Sequence, residues 1–523
     1  MAQRDVATLD HALQATATPP GPAFDDGSNP DRPATTLARA VLPDKLLRRP
    51  SPGEVVRLPP FLDALRAVER RTGRAFERWP VHHQEALVAR RLQQQVEVCR
   101  SNPLWRERID AAIGSAPTDT LAAFEAITPT DKETARLFYT GDRPGMVVPI
   151  AHGGFQVATS GGTASGQPTE IVYPLDELRD TYHWAGAFIG HHIVERHMLG
   201  QDARWIACTL VDHMMWSSAS MVGGVLQKIP GTNYIGAGAI DPKVFGRILA
   251  FPGSKAIMGI SRSVADLVTF AEHVPAEHRA TLRIALYGSG ALQPKVHADL
   301  RAAYPNLVVL SFFAAMQAET IGLQLDPASP VLTAIPGLHH IEIVDPQNRA
   351  VAVGEEGDLL VTRLHGNGAP VLRYRLGDRM VRRPDLVSDT LHAQQFEYVG
   401  RSGDSFALGS QRFTASRVVA AIVKTLRERG LIALDRVADD IQLRLDHRTR
   451  SLVVVAATSQ ADDLAESFDP QAAADAIRAA FAPTAADGLT ASGFDFQLAL
   501  VRPGSPRLTT TEVGKTPLFV ELR

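Results

Sequence analysis

Cysteine is nearly absent from this chain: Cys99 and Cys208 are its only two. Far apart, they provide neither a disulfide framework nor a cysteine-rich zinc site. A surplus of one charge is missing as well. With 54 basic and 57 acidic residues the net charge is -3, so no electrostatic footprint for nucleic acid or an anionic membrane is expected. No apolar run approaches ~20 residues, so no segment is expected to span a membrane. Met1 to Leu13 mixes charge with alanine and lacks an apolar signal core, which makes the cytoplasm the expected location. The rest is ordinary for a globular protein, with 45% hydrophobic and 21% charged residues. At 523 residues the chain is too long for one core, and two or three domains are expected.

Residues 1 to about 45 are rich in Pro, Ala, Asp and Thr and read as a flexible tail. Helical patterns follow at Phe61 to Thr72 and His82 to Arg100. In the second, Leu87, Val88, Leu92, Val96 and Val98 form an apolar stripe. From Met146 onward short β-rich runs (Trp205 to Leu210, Asn233 to Ile235, Ala256 to Gly259, Arg283 to Tyr287, Leu307 to Phe312) alternate with helical ones (Leu175 to His197, Ser217 to Gln227, Lys243 to Ala250, Ser261 to His273, Pro294 to Ala303). That alternation predicts an α/β fold with parallel sheet layers covered by helices. After Gly337, the segments His340 to Val344, Asp358 to Thr362, Val371 to Arg375 and Phe396 to Val399 predict a β-rich subdomain. Near Gly400 the pattern resets to helix-strand-strand-helix-strand, a small α+β domain. The expected organisation is a tail (1–45), a large domain (46–403) and a small C-terminal domain (404–523).

The most distinctive stretch runs from Val157 to Pro168. Ser160, Gly161, Gly162, Thr163, Ser165 and Gly166 combine backbone freedom with N–H and hydroxyl donors, which suits a polyphosphate. A plain Ser/Gly turn is the alternative. No Gly-Lys-Ser/Thr follows, so this is not the P-loop of nucleotide triphosphatases. Histidines cluster at His191, His192 and His197 and again at His339 and His340, without His-Glu-x-x-His spacing, and no metal site is expected from them.

Seven stretches in order resemble the adenylate-forming superfamily of acyl-CoA synthetases, adenylation domains and luciferases, and within it the phenylacetate–CoA ligase branch. They are the glycine loop; Tyr287-Gly288-Ser289-Gly290-Ala291-Leu292; Ala318-Glu319; Gly354-Glu355-Glu356-Gly357-Asp358-Leu359; Arg373-Tyr374-Arg375-Leu376-Gly377-Asp378; Gly400-Arg401-Ser402-Gly403-Asp404; and Gly514-Lys515. The resemblance covers the chain from about His82 to its end. It implies a mobile C-terminal domain and a reaction in two halves. A carboxylate attacks the α-phosphate of ATP and releases pyrophosphate, and a nucleophile, usually the thiol of CoA, then displaces AMP.

The resemblance also implies roles. The glycine loop would wrap the β- and γ-phosphates. Gly288, Ser289, Gly290 and Ala291 would carry the adenine, and Glu319 would bind Mg²⁺. Asp378 would accept from the ribose hydroxyls, Arg401 would contact phosphate or ribose, and Asp404 would mark the hinge. Lys515 would touch the carboxylate and α-phosphate during adenylation. His213, Met214, Met215 and Trp216 fall on the acyl-pocket wall, an apolar slot suited to an aromatic acid, although a buried strand end fits that segment nearly as well.

The chain departs from the pattern in places. Gln167 replaces a lysine common in this branch, and the loop is one residue longer. Ala315-Met316-Gln317-Ala318 replace the stretch that holds the adenine-stacking aromatic, for which Phe312 or Phe313 are the available substitutes. A paired-cysteine loop is also missing. Such drift suits secondary metabolism. The expected function is an AMP-forming ligase that passes an aromatic acid to CoA. Alternatives are an amine or carrier-protein acceptor, nitrite activation for arylamine diazotisation, and a non-catalytic nucleotide-binding homologue. By analogy with relatives, a homodimer is expected.

Overall fold

The computed structural model describes residues 34–115, 121–160, 169–200, 202–408, 411–481, 493–511 and 515–522. Five apolar segments form the parallel part of a large sheet, in the spatial order Asn233–Gly236, Arg204–Cys208, Ser254–Ile260, Leu282–Gly288 and Val308–Ala315. Successive side chains of a strand point to opposite faces, and here both faces are covered. Ile206, Cys208, Ala256, Met258, Ile284, Leu286 and Leu310 pack with Phe188, Ile189, Val225 and Leu226 from the helices Leu175–Ile189 and Ser218–Leu226. On the other face Ala207, Ile257, Ala285 and Val309 pack with Phe245, Leu249, Leu267 and Leu300. Burial on both sides explains why these strands read as apolar runs and not as alternating ones.

The β-rich section continues the same sheet. Val308–Ala315 turns back into Glu319–Gln324. Val331–Ala334, His392–Arg401, Tyr374–Val387, Glu356–Arg363 and His339–Val344 then follow antiparallel, which makes 11 strands. Sequence patterning did not predict the strands at Glu319 and Val331. The strand expected from Val371 begins only at Tyr374, because Arg373 takes a left-handed φ of 44° that breaks the ladder.

Three readings of helical segments also change. Ala34–Val41, expected in the flexible tail, is a helix with Ala38, Val41 and Leu42 in the core. The helix Val81–Cys99 buries its apolar stripe but also Arg91, Gln94, Gln95 and Glu97, because Arg91 and Gln95 bond carbonyls of the 363–366 segment, Gln94 bonds Arg91, and Glu97 pairs with Arg100. Leu175–Ile189 passes into a π turn at Gly190–Val194 before Glu195–His197.

The C-terminal part has its own sheet, ordered Asp495–Val501, Ser451–Ala457, Asp440–Asp446 and Phe519–Leu522. Its helices Ala415–Glu428 and Pro470–Phe481 close a separate apolar cluster around Ile422, Leu443, Val454, Ile477 and Phe496. The last strand, parallel to Asp440–Asp446, went unpredicted. Lys295 bridges the two parts, reaching Asp439 at 2.9 Å and Asp299 at 2.7 Å. Arg417 reaches Glu356 across the same junction.

Candidate active site

The site collects at the C-terminal ends of the parallel strands, where the C-terminal part leans over them. Lys515 sits in a tight turn: Thr511 donates its N–H to the Lys515 carbonyl at 2.8 Å, and the Lys515 N–H bonds the Thr511 hydroxyl at 3.0 Å. Buried Gln442 secures both flanks of this turn, donating to the Thr509 and Pro517 carbonyls and accepting from the Thr509 N–H, each at 3.0 Å. No local pattern marks Gln442, since it acts on residues far along the chain.

The Lys515 ammonium stands 4.9 Å from the centre of the Trp216 ring, a cation–π distance. Burial brings the amine down to about 8, and Arg401 pushes the same way while Asp378 opposes. Asp378 and Arg401 face each other on neighbouring strands, with Arg401 Nε 3.4 Å from Asp378 Oδ1. Burial raises the Asp378 carboxyl, and Arg401 pulls it back. Asp404, just beyond the strand in the 3₁₀ turn Ser402–Asp404, is raised by burial and lowered by Arg401. The fold thus brings Lys515, Asp378, Arg401, Asp404 and Trp216 into one neighbourhood.

The segment before Trp216 breaks a local rule. His213 and Trp216 exchange both backbone hydrogen bonds, at 3.0 and 2.7 Å. Met214 and Met215 between them have φ of 45° and 65°. Two positive φ values make this the kind of hairpin turn that favours Asn-Gly, and left-handed methionines cost of order 1 kcal/mol each. The two residues are 76% and 55% exposed, so burial does not offset the strain. Thr159 docks on this turn, with its N–H to the Met215 carbonyl at 2.9 Å and its hydroxyl to the Met214 carbonyl at 3.2 Å. Ser160 follows, its N–H bonded to the Thr169 carbonyl at 2.9 Å and its hydroxyl accepting from the Thr169 N–H at 3.2 Å. Gly161, Gly162, Thr163, Ser165 and Gly166 lie outside the described residues.

The strand Leu282–Gly288 ends in Ser289 with φ of 68° and Gly290 with φ of 158°. The Ser261 hydroxyl ties this end together, 3.1 Å from the Gly288 carbonyl and 2.8 Å from that of Gly290; Ala291 follows, exposed. Phe312 packs beneath, where a Cβ on Gly288 would meet its ring at 2.7 Å. Phe312 is therefore a core residue. Phe313 lies with Phe396 and Tyr398, ring centres 6.4 and 5.8 Å away, on the strand face it shares with Ala315.

Glu319 opens its strand with φ of 57°. The preceding turn is stapled by the Tyr173 hydroxyl to the Met316 carbonyl at 2.6 Å and by Arg363 Nε to the Gln317 carbonyl at 2.6 Å. Burial pushes the Glu319 carboxyl up to about 7, with Arg363 and the Thr181 hydroxyl opposing. Its contacts lie with Arg363, Thr181 and His365, apart from the Asp378–Lys515 group.

Among the described residues, Glu77 joins His191 and His192, and Glu125 joins His340 and Glu342, with ligand-type atoms within 4.8 Å of one another. An arginine already occupies each: Arg78 Nη2 is 3.0 Å from His191 Nε2, and Arg373 pairs with Glu342 at 2.8 Å. A metal ion there would sit beside a cation.

Among solved structures the chain is similar to 2-hydroxyisobutyryl-CoA ligase in the postadenylation state in complex with 2-HIB-AMP. The TM-score is 0.64 at 18% identity, over 86% of this chain and 91% of that one. The chain shares the fold of that ligase. An acyl acid amido synthetase in complex with 2,4-DB shares it, with a TM-score of 0.60 at 13% identity, over 84% and 93% of the two chains. The CoA ligase in its thioesterification state, bound to 2-HIB-AMP and CoA, matches this chain at a TM-score of 0.52 and 17% identity, over 85% and 91%. No family model and no curated protein matches the sequence. Among the described residues, no helix is long and apolar enough to cross a membrane.

Proposed function

We propose that this chain is an ATP-dependent, AMP-forming ligase that activates an aromatic or similarly compact apolar carboxylic acid and passes it to CoA. The observation that carries this reading is Lys515 beside Asp378, Arg401 and Trp216. As the substrate carboxylate attacks the α-phosphorus, negative charge builds on the phosphoryl oxygens. A desolvated ammonium offsets that charge far better than one in water. Asp378 presents two acceptor oxygens to the ribose diol. Gly288 to Ala291 form the floor for adenine, and the loop after Ser160 holds the β- and γ-phosphates. The likeness to the postadenylation state, with a lower score against the thioesterification state, supports a C-terminal part poised for the first half-reaction.

Magnesium fits one residue by chemistry. Glu319 Oε1 is buried and has no hydrogen-bond partner, and a carboxylate oxygen suits a hard cation. The bound ion would neutralise phosphate charge. In the second half-reaction the CoA thiolate attacks the acyl carbon and AMP departs. An amine acceptor is the second reading, supported by the likeness to an amido synthetase. Nitrite as the activated group would place arylamine diazotisation in the same site. The division into a large unit through residue 403 and a hinged C-terminal unit, a cytoplasmic setting and a homodimer belong to the same proposal.

Pyrophosphate release should be measured with ATP and Mg²⁺ over a panel of aryl and short alkyl acids, and over nitrite with an aminoaryl acid, each with and without CoA. Release that depends on an aromatic acid, with a CoA thioester as product, is the expected result. Release that needs nitrite moves the protein to diazotisation. Silence across the panel with intact ATP binding overturns the ligase reading in favour of a non-catalytic homologue.

The strained turn gives a second test. Replacing Met214 by Asn and Met215 by Gly installs the residues that this turn prefers. The double variant is expected to gain roughly 1–2 kcal/mol of stability, measured by thermal melting. It should also raise KM for the acid severalfold, because the apolar wall is gone. An unchanged KM removes the methionines from the acyl pocket.

A further inference from the structure

The two ion pairs at the junction between the large part and the C-terminal part share one construction. Lys295, on the helix Pro294–Ala303, reaches Asp439 at 2.9 Å across the junction and Asp299, one turn along its own helix, at 2.7 Å. Glu356 takes Arg417 on one carboxylate oxygen and, on the other, Arg379 from the neighbouring strand at 2.5 Å. Separating a partly buried pair usually strands a charge. Here it does not, because Lys295 keeps Asp299 and Glu356 keeps Arg379 within the large part. On the C-terminal side the Arg417 side chain is already 66% exposed, and Asp439 keeps the Ser459 N–H at 3.3 Å. Both pairs can therefore open at little cost.

What these pairs hold in place is Lys515. Asp439 leads directly into the strand Asp440–Asp446, whose Gln442 secures Thr509 and Pro517 on either side of Lys515. The helix of Lys295 begins just beyond Ala291, so the pair ties the strand behind the lysine turn to the part that carries Trp216 and the end of the strand Leu282–Gly288. We infer that Lys295 and Asp439, with Arg417 and Glu356, form a releasable latch that positions Lys515. Closed, the latch sets the ammonium beside Asp378, Arg401 and Trp216. Open, it frees the C-terminal part with no charge left unpaired in the large part. This inference rests on the ligase reading above, in which Lys515 serves the first half-reaction. Neither Lys295 nor Asp439 belongs to a stretch that carries the resemblance.

The first arm needs no activity. Spin labels on Ala302→Cys and Gln460→Cys, one exposed position in each part, report the distance across the junction by pulsed electron resonance; Cys99 and Cys208 are buried. The full chain so labelled should give one narrow distance. Lys295→Asp sets three carboxylates together and should add a longer, broader population. Asp439→Asn, which keeps the side-chain shape, should shift the distances the same way by less. Combining Lys295→Asp with Asp439→Lys should restore the narrow distance, because the introduced lysine meets both the introduced carboxylate and Asp299. When that latch opens, the two carboxylates face each other one helical turn apart, which is unfavourable. Unchanged distances in Lys295→Asp, or a double variant as open as the single one, overturn the inference.

The second arm separates the half-reactions. With the acid that the panel identifies, Lys295→Asp is expected to lower kcat for pyrophosphate release about three- to tenfold, the population shift from losing one partly exposed ion pair and gaining a like-charge contact. KM for the acid should stay within a factor of about two, since the latch touches no part of the acid pocket. Transfer from preformed acyl-adenylate should be undiminished, and the charge-swapped double variant should regain the first half-reaction. Equal losses in both half-reactions indicate general damage and overturn the positioning role. Panel-wide silence together with the expected distances overturns the ligase reading and leaves the latch standing.

Discussion

Replacing Lys515 by alanine is expected to lower acid-dependent pyrophosphate release by about 10²–10³-fold, the loss typical of removing one preorganised donor from a developing oxyanion. The fold should survive. The turn that carries Lys515 is held by backbone bonds, the Thr511 hydroxyl and Gln442, none of which uses the ammonium. Stability should even rise. The folded-state value of about 8 lies below the ordinary 10.5, so the unfolded chain binds this proton more tightly. The charge therefore weighs against folding at neutral pH, and the penalty fades as pH climbs from about 8 past 10.5. Lys515→Met, which keeps the side-chain volume, is expected to melt at an equal or higher temperature at pH 7.

The same shift sets the pH profile. Only the protonated amine opposes phosphoryl charge, so kcat/KM of the wild type should fall tenfold per pH unit above about 8. Lys515→Arg should move that limb beyond the measurable range while retaining part of the rate. A Lys515→Ala enzyme with undiminished pyrophosphate release would refute the role.

Much of this was legible in sequence because it depends on local pattern. Parallel strands buried on both faces leave apolar runs, and Ser254–Ile260 and Leu282–Gly288 stand within two residues of where periodicity put them. Asp378, Arg401 and Lys515 were legible as motif residues, and the fold brings them together. What stayed hidden depends on contacts between distant segments. Arg91 and Gln95 lie on a helix with a clean apolar stripe, and nothing in that stripe announces that they hold a loop more than 260 positions away. Glu77 reaches His192 at 3.0 Å across 115 positions. The π turn at Gly190–Val194 and the left-handed methionines are invisible to helical and strand periods for a different reason: each is a local conformation that tertiary contacts impose against propensity.

The sharpest instance of a motif residue with an unannounced job is Arg373, and replacing it is expected to destabilise the fold by several kcal/mol. The motif Arg-Tyr-Arg-Leu-Gly-Asp points to Asp378 and the nucleotide, but Arg373 is 1% exposed and faces the other way. Its guanidinium holds both Glu342 oxygens, at 2.8–3.1 Å, and the carbonyls of Glu125, Ile127 and Asn348. Its own N–H bonds the Thr362 hydroxyl at 2.9 Å, and its carbonyl accepts from the Thr130 N–H at 3.0 Å. One residue, through side chain and backbone together, thus joins the 125–130 segment to two strands of the large sheet.

Arg373→Ala leaves Glu342 buried without its counter-charge, a loss of roughly 3–5 kcal/mol, to be read as a melting temperature lower by several degrees in calorimetry. Arg373→Lys should recover little, because a point charge cannot span a carboxylate and three carbonyls as a planar fork does. Pairing Arg373→Met with Glu342→Leu should recover part of the loss by removing the stranded charge, though not the part owed to the carbonyls. If Arg373→Ala instead melts like the wild type and loses only ATP affinity, then Arg373 belongs to the nucleotide site and not to the framework.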